Sequence, residues 1–264
     1  MTLETIRLER SDHVATLFLN RPDNLNALNL RMLNELAGTL DELAVDDEIH
    51  AVIITGEGKA FSAGADVRSP ADLLALPKAR KETEDILKLV LRVTLSIRQM
   101  PKPAIAALNG VAAGASANFA LACDLVIASE NARLAENFIN IGLVPDGGGT
   151  FFLLDRIGYQ RSCEIFFTGK ILSSQEAFDL GLINRVVPPE EVLQEARKLA
   201  QDLIQKPRLA IAAGKAILNR EVIPRLRAYL EDEVNYQRLM LASYDAREGI
   251  AAFTEKRKPQ FLGK

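Results

Sequence analysis

Three short apolar stretches limit what this chain can fold into more than anything else in it: AVIITG (51–56), AIAALNG (104–110) and DLVIAS (124–129). Each is a brief run of β-branched residues and alanine that stops at glycine or serine. None alternates with polar residues, so each reads as a strand buried on both faces, the habit of a parallel sheet. Helical patterns lie between and after them. Asn29 to Leu43 repeats apolar residues at spacings of three and four, and residues 80–99 continue as a helix until the PKP at 101–103 ends it. GASANFALACD predicts another helix, and further helices follow at roughly 158–168, 174–181, 190–204, 208–220 and 224–245. The opening ETIRLERSDHVATLFLN reads as a β-hairpin around a Ser-Asp turn. Strands alternating with helices, then helices alone, give an α/β core with a helical C-terminal region. Pro188-Pro189 and Lys206-Pro207 are the candidate junctions, which divides the chain into 1–205 and 206–264. The closing EKRKPQFLGK is strongly basic and reads as a solvated tail.

Composition removes several functional classes. The 264 residues carry a formal net charge of −3 and an isoelectric point near 5.6, which argues against a nucleic acid or an anionic membrane as the main partner. Trp is absent and aromatics reach only 6%, too few for a platform that stacks single-stranded bases. The two cysteines, Cys123 and Cys163, stand in apolar surroundings and are expected as buried, reduced thiols of a cytoplasmic protein. The first residues lack the apolar core of a signal peptide, and no apolar run approaches the length of a membrane span. His13 and His50 are the only histidines, and neither lies near a carboxylate or thiol cluster. That disfavours zinc chemistry and Ser-His or Cys-His nucleophiles, and no metal is expected.

Two turns of small residues follow the buried strands: FSAGAD (61–66) after AVIITG, and GVAAGASAN (110–118) after AIAALNG. Small side chains leave backbone N–H groups accessible, and a helix N-terminus adds a favourable dipole for negative charge. Such turns on neighbouring strands can aim two N–H donors at one oxygen, forming an oxyanion hole; they can equally be tight packing alone. Neither fits the dinucleotide spacing GxGxxG, and there is no GxxxxGK[ST] phosphate loop. A third turn, GLVPDGGGT (142–150), sets one carboxylate, Asp146, before three glycines. Asp146 reads either as a cap for the helix that follows or as a proton-transfer group.

The segments AFSAGAD, PKPAIAALNGVAAGASANFALACDLVIAS, IGLVPDGGGT and REGIAAFTEKRKPQF together resemble the crotonase, or enoyl-CoA hydratase/isomerase, superfamily. The resemblance runs from NRPDNLNALN to the tail. It implies a crotonase-like spiral of ββα units, a helical C-terminal trimerisation region, and a homotrimer or dimer of trimers. It also implies acyl-CoA thioester substrates, with coenzyme A carried as part of the substrate and no separate cofactor. The thioester oxygen would be held by the N–H groups of Ala65 and Ala115. A typical hydratase carries two glutamates, which by similarity fall here at Asn118 and Phe138, and neither residue can transfer a proton. Hydration needs one group to activate water and another to supply the α-proton. What the resemblance leaves is Asp146, at the place where isomerase branches carry the carboxylate that moves a proton between the α and γ carbons. These branches include the phenylacetate-pathway type that converts a ring epoxide to an oxepin.

The resemblance assigns several other residues. Ala63 and Asp66 would lie against the adenine, Phe253 would line the pocket, and Lys256 would reach a nucleotide phosphate, often in the neighbouring subunit. A helix over roughly 74–99 would shape the acyl pocket. Glu136 is a rival base, expected as surface or subunit-contact charge. Asn118 is either a polar residue at a helix start or a group whose amide orients Asp146 or a substrate oxygen. Two alternatives accompany the isomerase expectation: a hydratase, that is a lyase, using Asp146 and Glu136, and a non-catalytic acyl-CoA-binding subunit. The metabolic setting would be fatty acid or phenylacetate breakdown.

Overall fold

A computed structural model describes residues 3–66 and 77–264. The chain opens with the expected hairpin, β1 (Ile6–Ser11) and β2 (Val14–Leu19), paired antiparallel. The buried runs then form β3 (Ala51–Gly56), β4 (Ala104–Leu108) and β6 (Leu125–Ser129), and a short β9 (Arg185–Val187) completes a six-stranded sheet in the order β1-β2-β3-β4-β6-β9. From β2 onward every pairing in it is parallel. A second sheet joins β5 (Val111–Ala113), β7 (Arg133–Ala135) and β8 (Ile171–Ser173) in the order β5-β7-β8.

The period of two along each strand explains why both faces are apolar. Val52 and Ile54 of β3, with Ala104, Ala106 and Leu108 of β4, face the main core. That core is completed by Met32, Leu33, Leu36, Leu40 and Leu43 of helix α1 (Leu30–Val45), and by Val90, Val93 and Ile97 of α2 (Pro77–Gln99). Ala51, Ile53, Ile105, Ala107 and Ile127 face the opposite side. There α7 (Val192–Ile204) covers them with Val192, Ala196 and Ala200, spaced four apart on one helix face.

The remaining helices before α7 are α3 (Ala115–Ala122), α4 (Gly149–Ile157), α5 (Tyr159–Thr168) and α6 (Ser174–Asp179). After α7 come α8 (Arg208–Asn219), α9 (Val222–Leu241) and α10 (Tyr244–Glu255). The expected start of the acyl-pocket helix at 74–76 lies outside the described residues. Among the described residues no helix is long and apolar enough to cross a membrane.

Several local expectations are corrected. VAA at 111–113, read as part of a turn, is a strand, because its parallel pairing with β7 satisfies its backbone. The helix expected over 224–245 stops at Leu241, and a new one begins where the Ser243 hydroxyl accepts the Ala246 N–H at 3.0 Å. The closing residues are not a free tail. The Leu262 and Gly263 N–H groups donate to the Asp245 carboxylate at 2.6 and 2.8 Å, and Gln260 N–H donates to Glu248 at 2.8 Å. Cys123 is buried as expected, but Cys163 on α5 is only half-buried, since that helix buries only Ile165.

Candidate active site

A cavity of about 320 Å³ opens between the two small-residue turns, the 144–150 turn and the C-terminal helices. Ala63, Gly64 and Ala65 form one wall, and Ala113, Gly114 and Ala115 the next. The two turns brace each other through backbone. Ser62 N–H donates to Val111 C=O at 3.0 Å, Ala113 N–H donates to Ser62 C=O at 3.0 Å, and the Ser116 hydroxyl donates to Ser62 C=O at 3.0 Å. The fit requires glycine at 64. Its φ is +85°, and a Cβ there would sit 2.7 Å from the Ala113 carbonyl oxygen.

With those bonds made, Ala65 and Ala115 N–H have no acceptor among the described residues. Ala115 is the first residue of α3, where a helix leaves its N–H groups unpaired and its dipole favours negative charge. Two unpaired N–H donors on the wall of one cavity are what an oxyanion hole needs.

Asp146 lines the same cavity and is the only carboxylate among the described residues that do so. Burial pushes its carboxyl up to about 6, against the opposing effect of the Gln237 side-chain amide, which donates to Oδ2 at 3.3 Å. Oδ1 is shielded from solvent and has no hydrogen-bond partner among the described residues. The capping role for Asp146 is overturned. Helix α4 begins at Gly149, and it is Glu233 of α9 that accepts Gly148 N–H at 2.7 Å, Thr150 N–H at 2.9 Å and the Thr150 hydroxyl at 2.5 Å. A carboxylate from a distant helix takes the cap and leaves Asp146 free of it.

The glycines allow that close approach. Gly148 has φ +94°, and a Cβ there would lie 2.8 Å from the Phe152 ring. A Cβ on Gly149 would lie 2.6 Å from Asn118 Nδ2 and 3.0 Å from Glu136 Oε2.

The positions that resemblance gave to the hydratase glutamates differ in what they do. Asn118 is fully buried behind the cavity wall, and its Nδ2 donates to the main-chain oxygen of Asp146 at 2.6 Å. It therefore anchors the backbone of Asp146 and not the carboxylate. Phe138, in the 3₁₀ turn Asn137–Ile141, lines the cavity with its ring against Gly114, 3.3 Å from where a Cβ would stand. Glu136 is not surface charge. It is 1% exposed, because the chain between β7 and the 3₁₀ turn passes inside. Its carboxyl is held well above the usual range by burial and by the nearby Glu233 and Asp146, with Asn118 Nδ2 opposing at 3.4 Å. It does not line the cavity.

At the mouth, Phe253 lines the cavity and is 62% exposed. Lys256 caps α10 with φ +56° and is not on the wall; its neighbour Arg257 is, paired with Glu248 and Glu255. Asp66 lies beside the wall in an ion pair with Arg21 at 2.9 Å. Gln237 and Glu233 were missed by sequence reasoning. They sit one turn apart in a helix whose sequence, VIPRLRAYLEDEVNYQRLML, reads as an ordinary charged helix.

Residues 9–264 match the family profile described as Enoyl-CoA hydratase/isomerase. The chain is 38% identical to the 1,2-epoxyphenylacetyl-CoA isomerase of Escherichia coli, covering 95% of each chain. It is 36% identical to the crotonyl-CoA hydratase of Syntrophomonas wolfei over the whole of both. Among solved structures, an enoyl-CoA hydratase from Mycobacterium avium subsp. paratuberculosis superimposes with a TM-score of 0.90 at 32% identity, covering 99% of this chain and 100% of the other. Sheet order, opposed small-residue turns and end-to-end similarity agree with the superfamily resemblance and its crotonase fold: the chain belongs to the enoyl-CoA hydratase/isomerase family.

Proposed function

We propose that the protein is an acyl-CoA isomerase that moves a double bond, or isomerises an epoxide ring, through a thioester enolate, with Asp146 as its proton shuttle. The observation that carries this reading is a cavity with two unpaired N–H donors and one carboxylate. For a 3-enoyl thioester, the ionised Asp146 takes a proton from Cα. The electron pair moves into the thioester carbonyl, whose oxygen becomes the dienolate oxyanion between Ala65 and Ala115 N–H. The protonated Asp146 then returns the proton at Cγ, and the double bond ends conjugated with the carbonyl. Proton and charge balance without water or a second acid. Coenzyme A enters and leaves as part of the substrate, so no separate cofactor is required. Phe253 and Arg257 stand at the cavity mouth to meet its nucleotide end.

Hydration by Asp146 and Glu136 together is less well supported, because Glu136 is walled off behind Asn118 and Gly149. A non-catalytic binding subunit would have no use for a buried carboxylate beside two free donors. Exposed Leu209, Ile217 and Leu218 on α8, 86%, 73% and 74% accessible, support assembly through the C-terminal helices as a trimer or dimer of trimers.

The test incubates the protein with a 3-enoyl-CoA in deuterated water and follows exchange at Cα and Cγ. Asp146→Asn is expected to lower exchange and isomerisation roughly 10²–10⁴-fold while acyl-CoA still binds. Exchange unchanged in Asp146→Asn would overturn the assignment. Rapid conversion of crotonyl-CoA to its 3-hydroxy product would replace it with the hydratase reading. Because Asp146 must be ionised to start the cycle, kcat/KM is expected to rise with pH through about 6 and then level.

A further inference from the structure

The turn that carries Asp146 is gripped by two side chains of α9. Glu233 takes the N–H groups of Gly148 and Thr150, and Gln237, one turn later on the same helix face, takes the other end of the turn. Gln237 is 2% exposed and lines the cavity beside Asp146. Its amide has two neighbours that make opposite demands. Val144 N–H donates to Oε1 at 3.2 Å, and Asp146 Oδ2 receives Nε2 at 3.3 Å. Only the amide oxygen can accept from Val144 N–H, so the NH₂ group must face the carboxylate. A flipped amide would set N–H against N–H and oxygen against oxygen.

We propose that Gln237 is the positioning residue of the proton shuttle: its oriented amide fixes the rotation of the Asp146 carboxylate through Oδ2. This inference rests on the reading of Asp146 as the shuttle and adds a residue from the C-terminal helices to the chemistry. The choice of a neutral amide is chemically specific. An arginine or lysine at 237 would pair with the carboxylate, depress its basicity and hold the proton equilibrium on the wrong side. An apolar residue would leave both oxygens unpartnered and the side chain free to rotate. One neutral donor orients without neutralising.

The surroundings agree. The titratable groups near Asp146 are Glu233 from α9 and Glu136 from the segment after β7, both acids. The α2 helix contributes Ile86 and Val90 to the wall, and the 61–66 and 110–118 turns contribute only small residues. Arg257, after α10, lines the cavity but is paired with Glu248 and Glu255. Among the described residues, the Gln237 amide is the one hydrogen bond that holds the Asp146 carboxyl down against its burial. A group that must take a proton and give it back works best with a pKa near the working pH.

The test pairs a direct titration with turnover. Aspartate labelled with ¹³C at the carboxyl is followed by NMR against pH, with the Asp146 resonance identified by its loss in Asp146→Asn. The same proteins are assayed for 3-enoyl-CoA isomerisation. Gln237→Leu is expected to move the Asp146 midpoint above about 6 and to lower kcat roughly 10–100-fold, with KM changed by less than about threefold. In an Asp146→Asn background the same substitution is expected to cost nothing further. Gln237→Glu keeps an acceptor for Val144 and the original shape, and is expected to make the two carboxyls titrate as a coupled pair with the acid limb of the rate profile shifted upward.

An unmoved Asp146 midpoint in Gln237→Leu overturns the proposal, as does an equal loss of kcat with and without Asp146, which would mark Gln237 as merely structural. If Gln237→Leu does not fold, an unshifted midpoint in Gln237→Glu overturns it instead. Failure of the shuttle reading itself looks different: Asp146→Asn would stay active whatever Gln237 does to the titration.

Discussion

The turns at 61–66 and 110–118 present backbone to the cavity and are braced by each other, whereas the turn at 144–150 presents a side chain and is braced from a helix beyond residue 220. In the first pair, small residues let Ser62, Val111 and Ala113 interlock through main-chain bonds, and the groups left without a partner at the cavity wall are N–H groups that any small residue supplies. In the second, glycines leave room for Asn118, Glu136 and Leu226, while Glu233 and Gln237 of α9 hold the turn through hydrogen bonds. A donor built from backbone tolerates substitution at its own position as long as the N–H survives. A base built from a side chain depends on the groups around it, which set both its aim and its basicity. The site thus joins a rigid half whose chemistry is local to a half whose chemistry is assembled.

That contrast breaks most sharply where the N–H itself is removed. Ala115→Pro deletes the donor at the first position of α3, where proline is well tolerated by a helix. It is expected to lower kcat roughly 10²–10³-fold while circular dichroism and acyl-CoA binding persist. Ala115→Ser, which keeps the N–H, is expected to stay within about tenfold of the parent. A proline variant of full activity would remove Ala115 from the oxyanion hole.

The assembled half is tested next by pH. Burial holds the Glu136 carboxyl well above its unfolded value, and Asp146 and Glu233 are raised to about 6 and about 8. A carboxyl raised in the folded state contributes stability that is full below its unfolded value near 4.3 and is lost as pH rises towards the folded one. Glutamine titrates nowhere, so Glu136→Gln is expected to raise stability at pH 8 and to raise it much less at pH 5, read by urea unfolding. A gain equal at both pH values would mean that Glu136 ionises as freely in the folded protein as in the unfolded one.

Packing of the third turn gives a similar or smaller effect. Gly148→Ala must place a Cβ 2.8 Å from the Phe152 ring and 3.1 Å from Leu226 at φ +94°, and is expected to lose ~1–3 kcal/mol of stability. A neutral result would show that the glycines are not needed for the approach of α9. The smallest change is expected at the mouth, where Arg257→Ala should weaken acyl-CoA binding by less than about fivefold, since the guanidinium is exposed and already paired. Isothermal titration with an unreactive acyl-CoA thioether measures it.

Much of this was legible from residue order. AVIITG, AIAALNG and DLVIAS read as strands and FSAGAD as a turn, because each signal lies within a few adjacent residues; GVAAGASAN read as a turn too, although its VAA is strand β5. Strands β5, β8 and β9 were not legible, since runs of three residues carry too little pattern and owe their pairing to partners elsewhere. Glu136 read as surface charge for the same reason: nothing in AENFIN tells which way the chain turns.

The sequence by itself determined the parallel sheet and its small-residue turns, the absence of glutamate at 118 and 138, and the presence of one carboxylate in PDGGGT. Only the tertiary structure decided the surroundings of that carboxylate. It put Glu233 on the helix cap that Asp146 would otherwise have occupied, sealed Glu136 away from the cavity, and brought the Gln237 amide, 91 residues along, to Oδ2. Local patterns record which backbone a segment prefers; solvation and hydrogen-bond partners come from segments far away in the chain, and these set the charge and aim of a buried acid.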